Sequence, residues 1–325
     1  MDPQVKPGEV TKERSQYLAS SLKAGGACPE TTNDPIMTET KSFKVGLIGA
    51  DIQLSKSPAL HMREGAAHGL DYSYELVDVT ARQLPASALP DLLDELETRG
   101  FAGTNITHPF KQAVIPHLDE LSDDARMLGA VNTVVFKDGR RIGHNTDWYG
   151  FYESFVRGLP DAKRDRALLV GAGGAGVAVA HAALKLDITR LDIFDRDFPR
   201  AERLAGELNA RFGEGRAFAV EDPAASLPFA DGLIHATPMG MPAHPGMPVA
   251  ADLIEQRHWV ADIVYMPLVT ELLATAAKKG RRTLPGGGMT VFQAVGAFRL
   301  FCGCEPDAAR LTAHFTVLCM AAGVA

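Results

Sequence analysis

The chain has 325 residues, 46% of them hydrophobic and 22% charged, with a formal net charge of -7; this is enough apolar side chain for two cores and excludes a chain disordered throughout. An acidic balance without any dense Lys/Arg stripe excludes a nucleic-acid surface, which needs clustered positive charge against phosphates, and leaves a small soluble ligand as the expected partner. No apolar run is long enough to span a membrane, and four cysteines (Cys28, Cys302, Cys304, Cys319) without zinc-type spacing or a secretory signal fit reduced thiols in a cytoplasmic protein.

Residues 1 to 41 are polar, rich in Gly, Pro and Thr, and lack a sustained apolar period, which predicts a mobile extension. Met37 lies just before the first strand signal and is an alternative start. From Phe43 the pattern alternates. KVGLIGA predicts a strand entering a glycine turn, SPALHMREGAAHGL a helix and YSYELVDV a second strand. LPDLLDELETRG predicts an amphipathic helix ending at Gly100, and FAGTNIT a third strand. Repeated βαβ alternation implies a mainly parallel, helix-covered sheet. After GAVNTVVFKDGRRIGHNTD a helix begins near Trp148, and RALLVGAGGAG then opens a fresh series with RLDIFD, GRAFAV, GLIHAT and WVADIV as strands. That restart marks a domain boundary. The last stretch predicts two apolar-faced helices that return to cover the first domain.

The clearest local mechanism is ALLVGAGGAGVAVAHAALKL. Gly171, Gly173 and Gly176, with Ala172, Gly174 and Ala175 between them, form G-x-G-x-x-G after an apolar strand and before a helix. The first glycine permits a tight turn, the second lets the backbone approach a pyrophosphate, and the third lets the helix pack on the strand. Helix N-terminal N–H groups then receive the anion. At the end of the next strand Asp195 stands where a carboxylate accepts hydrogen bonds from a ribose, which favours NAD over NADP. Arg196 follows it and leaves NADP possible, because an arginine there can pair with the extra phosphate. Asp195, Arg196, Asp197 and Arg200 also read as a solvated helix entrance.

Two polar stretches frame a lysine and an aspartate. GTNITHPFK carries Asn105, Thr107 and Lys111, and GHNTDWYGF carries Asn145, Thr146 and Asp147. Taken singly, such residues read as surface loops, turn asparagines or helix caps. No metal is expected, since His61, His108, His117 and His144 form no ligand constellation; His68 and His181 read as helix residues in core or surface roles.

From about Val45 to Arg310 the chain resembles the shikimate/quinate dehydrogenase family, through LSKSPALH, GTNITHPFK, LGAVNTVV, GHNTDWYGF, VGAGGAG, ATPMGM, DIVYMP and GGGMTVFQAV taken in order. The resemblance implies an α/β protein of two domains, an N-terminal α/β substrate domain with a mainly parallel sheet and a Rossmann-type dinucleotide-binding domain. The implied layout is an extension over 1–41, a catalytic domain over 42–147, a nucleotide domain over 148–287 and C-terminal helices over 288–325. It also implies roles. Ser55 and Ser57 match the pair that holds a substrate carboxylate; Asn105, Thr107, Asn132, Tyr265 and Gln293 match groups around the ring. Thr237, Met239 and Gly288 match cofactor contacts, and Lys111 and Asp147 match the catalytic pair. Neutral lysine accepts the alcohol proton and lysinium returns it.

DIVYMPLVTELL and the D-R-D at Asp195 to Asp197 look closer to the NAD-linked quinate/shikimate branch; the NADP-linked branch typically shows N-R-T there. Ser57 departs from the threonine frequent in quinate-preferring members. A methyl contact is worth only about 1 to 3 kcal/mol, so both substrates are expected to react, shikimate the better. Two other readings fit the motifs, a low-turnover metabolite- or nucleotide-sensing module and a dehydrogenase of an amino-substituted ring acid. Monomer and homodimer are both open.

Overall fold

The computed structural model describes residues 40–321; the expected extension up to that point, Met37 and Cys28 lie outside the described residues. The described residues form two compact units, one made of 40–53, His61–His144 and Ala297–Pro306, the other of Leu54–Leu60, Asn145–Gly296 and 307–321.

The first unit is built from β1 (Ser42–Gly49), α1 (Ser57–Ala67, from His61 onward), β2 (Asp71–Asp78), α2 (Leu89–Thr98), β3 (Gly103–Ile106), β4 (Glu120–Leu121), α3 (Asp123–Leu128), β5 (Thr133–Lys137) and β6 (Arg140–His144). Its sheet order is β2-β1-β3-β5-β6-β4. Pairings β1·β2, β1·β3 and β4·β6 are parallel, whereas β3·β5 and β5·β6 are antiparallel. In α2, Leu89, Leu92, Leu93 and Leu96 fall at helical spacing and are buried, packing with Ile48, Val77 and Ile106. Val45 and Leu47 of β1 pack instead with Tyr72, Tyr74, Ala297, Phe298 and Phe301, as the alternation of a strand requires. The β5–β6 hairpin escaped the sequence reading. Its signal was Asp138-Gly139, both at positive φ (53° and 70°), the conformation that suits a two-residue hairpin turn.

The second unit comprises α4 (Asp147–Gly158), β7 (Arg166–Val170), α5 (Gly174–Lys185), β8 (Arg190–Phe194), α6 (Phe198–Phe212), β9 (Ala217–Ala219), α7 (Pro223–Ser226), β10 (Gly232–His235), β11 (Trp259–Asp262), α8 (Glu271–Lys278), β12 (Thr283–Leu284), α9 (Gly287–Cys302, up to Gly296) and α10 (Ala308–Ala321). All its strand pairs are parallel, in the order β12-β11-β10-β7-β8-β9. Relabelled from β7, this is the doubly wound order 3-2-1-4-5-6, whose reversal falls between β7 and β10. Leu168, Leu233, Val260, Leu272 and Leu273 form a core of this unit.

The sequence suggests two C-terminal helices that both return to the first domain; they divide between the two units. Ala297, Phe298 and Phe301 of α9 join the first unit's core. Leu311, Phe315 and Cys319, one face of α10, seat against Val291, Phe292 and Val295 in the second unit. Cys302, Cys304 and Cys319 are in no disulfide among the described residues, and no helix among these residues is long and apolar enough to cross a membrane.

Candidate active site

At the reversal point of the second unit's sheet lies a cavity of about 360 Å³ lined by Gly173, Gly174, Ala175, Ala236, Thr237, Pro238, Met241 and Ile263 to Met266. Three turns converge there, those after β7, β10 and β11. The glycines of the first turn have separate reasons. Gly171 has φ +109°, and a Cβ on it would stand 2.6 Å from the Ala236 carbonyl oxygen. On Gly176 a Cβ would meet the Gly171 carbonyl oxygen at 2.0 Å, so this position sets the contact of α5 with the turn. At Gly173 and Gly174 a Cβ would meet nothing within 4 Å; these two open onto the cavity. A backbone cradle at a helix N-terminus, with open space over its glycines, fits a dinucleotide pyrophosphate.

Asp195 braces this cradle. One carboxylate oxygen accepts the Ala172 N–H at 2.8 Å and the other the Asp197 N–H at 2.9 Å. Arg200 stands 3.8 Å from the same carboxylate, and Arg196 is exposed. Among the expected cofactor residues, Gly173, Gly174, Ala175 and Thr237 line the cavity, as does Tyr265, while Gly171, Ala172 and Gly176 shape it from behind. Met239 lies outside the lining and donates its N–H to the Thr237 hydroxyl at 3.2 Å. Gly288 packs on α4, where a Cβ would stand 2.2 Å from the Ser154 hydroxyl. Sequence reasoning missed Ala236, Pro238, Met241, Ile263, Val264 and Met266 as lining residues. The available signal was their position just past strands β10 and β11, at the carboxyl edge of an α/β sheet.

The first unit carries a buried polar chain across its sheet. The Tyr74 hydroxyl donates to Asn105 Oδ1 at 2.8 Å, Asn105 Nδ2 donates to Thr133 Oγ1 at 2.9 Å, and Thr133 Oγ1 donates to Asn132 Oδ1 at 3.0 Å. Asn105 Nδ2 also reaches the Asn132 carbonyl at 3.2 Å. The direction of these bonds fixes both amides, making Nδ2 the donor end of Asn132. Thr107 is half-buried, and Gly49 makes room for its methyl group. Lys111 follows the fully buried Phe110, and its carbonyl accepts the Val131 N–H at 2.8 Å, so the backbone at the lysine is held from both sides. Behind the tyrosines, His61 bonds the Tyr72 hydroxyl at 3.1 Å, and burial pushes its pKa down to about 3. Burial likewise lowers His144 to about 4, against the pull of Asp124.

The remaining expected residues belong to the second unit. Ser55 Oγ accepts the Ser57 N–H at 3.3 Å at the start of α1, which is a capping role that leaves further hydrogen-bonding capacity on the hydroxyl. Asn145 Oδ1 accepts the Asp147 N–H at 3.0 Å, placing the buried Asp147 at the first position of α4, where the helix dipole favours a carboxylate. Gln293 sits on α9 with its amide donating to the Thr290 carbonyl at 3.1 Å. The Tyr265 phenol is raised above its ordinary pKa by burial and by Cys319 nearby. Among the described residues no group of three or more His, Cys, Asp or Glu side chains is placed to hold a metal ion.

Comparison with known proteins adds family information. A family model described as shikimate dehydrogenase substrate binding domain matches residues 47–134. The shikimate dehydrogenase (NADP(+)) of Streptomyces avermitilis is 53% identical over 87% of this chain and 98% of its own. The quinate/shikimate dehydrogenase (NAD(+)) of Corynebacterium efficiens is 46% identical over 85% and 99%. Among solved structures, quinate dehydrogenase from Corynebacterium glutamicum in complex with NAD superimposes with a TM-score of 0.81 at 45% identity, covering 86% of this chain and 100% of that one. Shikimate 5-dehydrogenase from Thermus thermophilus, in complex with NADP(H) and shikimate, gives 0.75 at 36% identity over 85% and 99%.

Proposed function

Because the chain belongs to the shikimate/quinate dehydrogenase family, we propose that it catalyses the reversible, NAD(P)-linked oxidation of shikimate, and more slowly of quinate, to the 3-dehydro acid. The observation that carries this reading is the glycine-cradled cavity at the sheet's reversal point, in a chain that also holds a network of neutral, oriented amides and hydroxyls. Neutral donors and acceptors suit a polyhydroxylated acid, since each unmatched group penalises an analogue lacking the hydroxyl.

Gly173, Gly174 and Ala175 would hold the pyrophosphate and Asp195 the adenosine ribose. When bound, the nicotinamide supplies the hydride acceptor. Lys111 takes the proton of the reacting hydroxyl and returns it in the reverse direction. Asp147 accepts a hydrogen bond from a ring hydroxyl and helps to orient the substrate for the lysine. Ser55 and Ser57 bind the carboxylate; Asn132 donates to a ring hydroxyl, and Asn105, Thr107, Gln293 and Tyr265 bound the ring. Asp195 at the end of β8 supports NAD as the preferred cofactor, and the exposed Arg196 keeps NADP acceptable.

Initial rates of nicotinamide reduction, followed by absorbance with shikimate, quinate and an aminated ring acid, each with NAD and with NADP, test this reading. The largest kcat/KM is expected for shikimate with NAD. A larger value for quinate overturns the substrate order, turnover of the aminated acid alone favours the modified-ring reading, and dinucleotide binding without any turnover favours a sensing module.

A further inference from the structure

The cavity is walled partly by the turns after β10 and β11, and both rest on one buried cross-strand pair. His235 closes β10 and Asp262 closes β11; they are direct partners in the sheet register. His235 is 0% exposed and Asp262 2%. Asp262 Oδ1 accepts from His235 Nδ1 at 2.9 Å and from the Val264 N–H at 3.0 Å, while Oδ2 accepts the Thr270 hydroxyl at 2.6 Å. On its other side His235 Nε2 meets Thr237 Oγ1 at 2.5 Å, and that oxygen accepts the Met239 N–H. A single carboxylate thus anchors Val264 directly and Thr237 through the imidazole, and both residues line the cavity.

We propose that His235 is a positioning residue for dinucleotide binding, holding the Thr237 hydroxyl and the turn that follows it in one orientation. This rests on the reading of the cavity as the dinucleotide site. A carboxylate only accepts, so Nδ1 carries a ring proton. In the tautomer with its proton there, Nε2 accepts, and the Thr237 proton is committed to the ring. Of the two lone pairs on Thr237 Oγ1, Met239 takes one, and the other suits a donor on the ligand, such as a carboxamide or a ribose hydroxyl. Burying the linked His235, Asp262 and Thr270 side chains where aliphatic ones would pack is costly unless all are satisfied, and a satisfied network specifies one geometry.

A double-mutant cycle read by calorimetric titration with NAD tests this. His235→Asn keeps a donor for Asp262 but stops short of Thr237; Thr237→Val removes the hydroxyl at nearly constant shape, and Thr237→Ser restores it. Each of the first two changes is expected to weaken NAD binding about tenfold, with the double variant within about twofold of Thr237→Val and Thr237→Ser near wild type. Shikimate affinity without dinucleotide should stay within about twofold. Independent, multiplying losses would reduce His235 to a core residue and overturn the proposal, as would unchanged NAD binding by Thr237→Val. Should His235→Asn fail to fold, the valine and serine variants decide alone, weakening by valine with retention by serine supporting the brace. A wild-type protein that binds neither NAD nor NADP overturns the cofactor reading and this inference together.

Discussion

The ligand-facing surface of the second unit is made largely of what is absent. Gly173 and Gly174 contribute open space, Gly171 and Gly176 contribute close backbone approach, and main-chain N–H groups at the start of α5 are the expected partners of a pyrophosphate. In the first unit the buried polar row is made of side chains, each held by another, from Tyr74 to Asn105 to Thr133 to Asn132. A backbone cradle serves any ligand with the same phosphate geometry. An ordered amide chain discriminates, because its donor and acceptor ends are fixed before the substrate arrives.

If the division holds, chemistry and binding separate on mutation. Lys111→Ala should lower kcat by about three orders of magnitude or more while NAD affinity, measured by titration, stays within a few-fold. Near-normal turnover removes the lysine from the reaction. Gly176→Ala should cost about 3 kcal/mol of stability in urea unfolding, because its Cβ meets a carbonyl oxygen rather than a flexible side chain. An unchanged midpoint would mean that the turn relaxes freely and that the cradle is not set by that contact.

A smaller effect is read from the pH dependence of stability. His61 in the folded first unit has a pKa of about 3, depressed by burial from 6.5. The unfolded chain therefore binds the extra proton first, so the stability this site supports is full above pH 6.5 and is lost as pH falls toward 3. Between pH 6.5 and 5 the loss is roughly 1.5 kcal/mol. His61→Phe should flatten the pH dependence of unfolding by about that amount; an unchanged slope contradicts the burial of a neutral ring.

Much of the architecture was legible because period and punctuation agree. Leu89, Leu92, Leu93 and Leu96 mark α2, and an apolar run before G-x-G-x-x-G marks β7 and its turn. The β5–β6 hairpin was not legible from βα alternation, although Asp138-Gly139 announces its turn. The fate of α10 was not legible, because an apolar face does not say which core it will join. At the site, the glycine loop could be read residue by residue, each glycine having a local reason. Tyr74 and Thr133 could not, as their roles come from the pairing of β2, β1, β3 and β5, which brings side chains distant in sequence into one row. His235 and Asp262 were hidden for the same reason. Asn105 reads from sequence as a substrate contact; the bonds of its amide to Tyr74, Thr133 and the Asn132 carbonyl come only from the fold.

The contrast between a cradle of glycines and a row of ordered amides is tested most directly by titrating Gly173→Ala and Tyr74→Phe with NAD and with shikimate in turn. A methyl at position 173 meets no protein atom within 4 Å, so it intrudes only on the ligand; NAD affinity should fall about tenfold or more with shikimate affinity unchanged. Removing the Tyr74 hydroxyl frees the acceptor end of Asn105, and shikimate affinity should fall several-fold, on the order of 1 kcal/mol, with NAD affinity unchanged. Two variants that weaken the same ligand, or neither, would contradict the account.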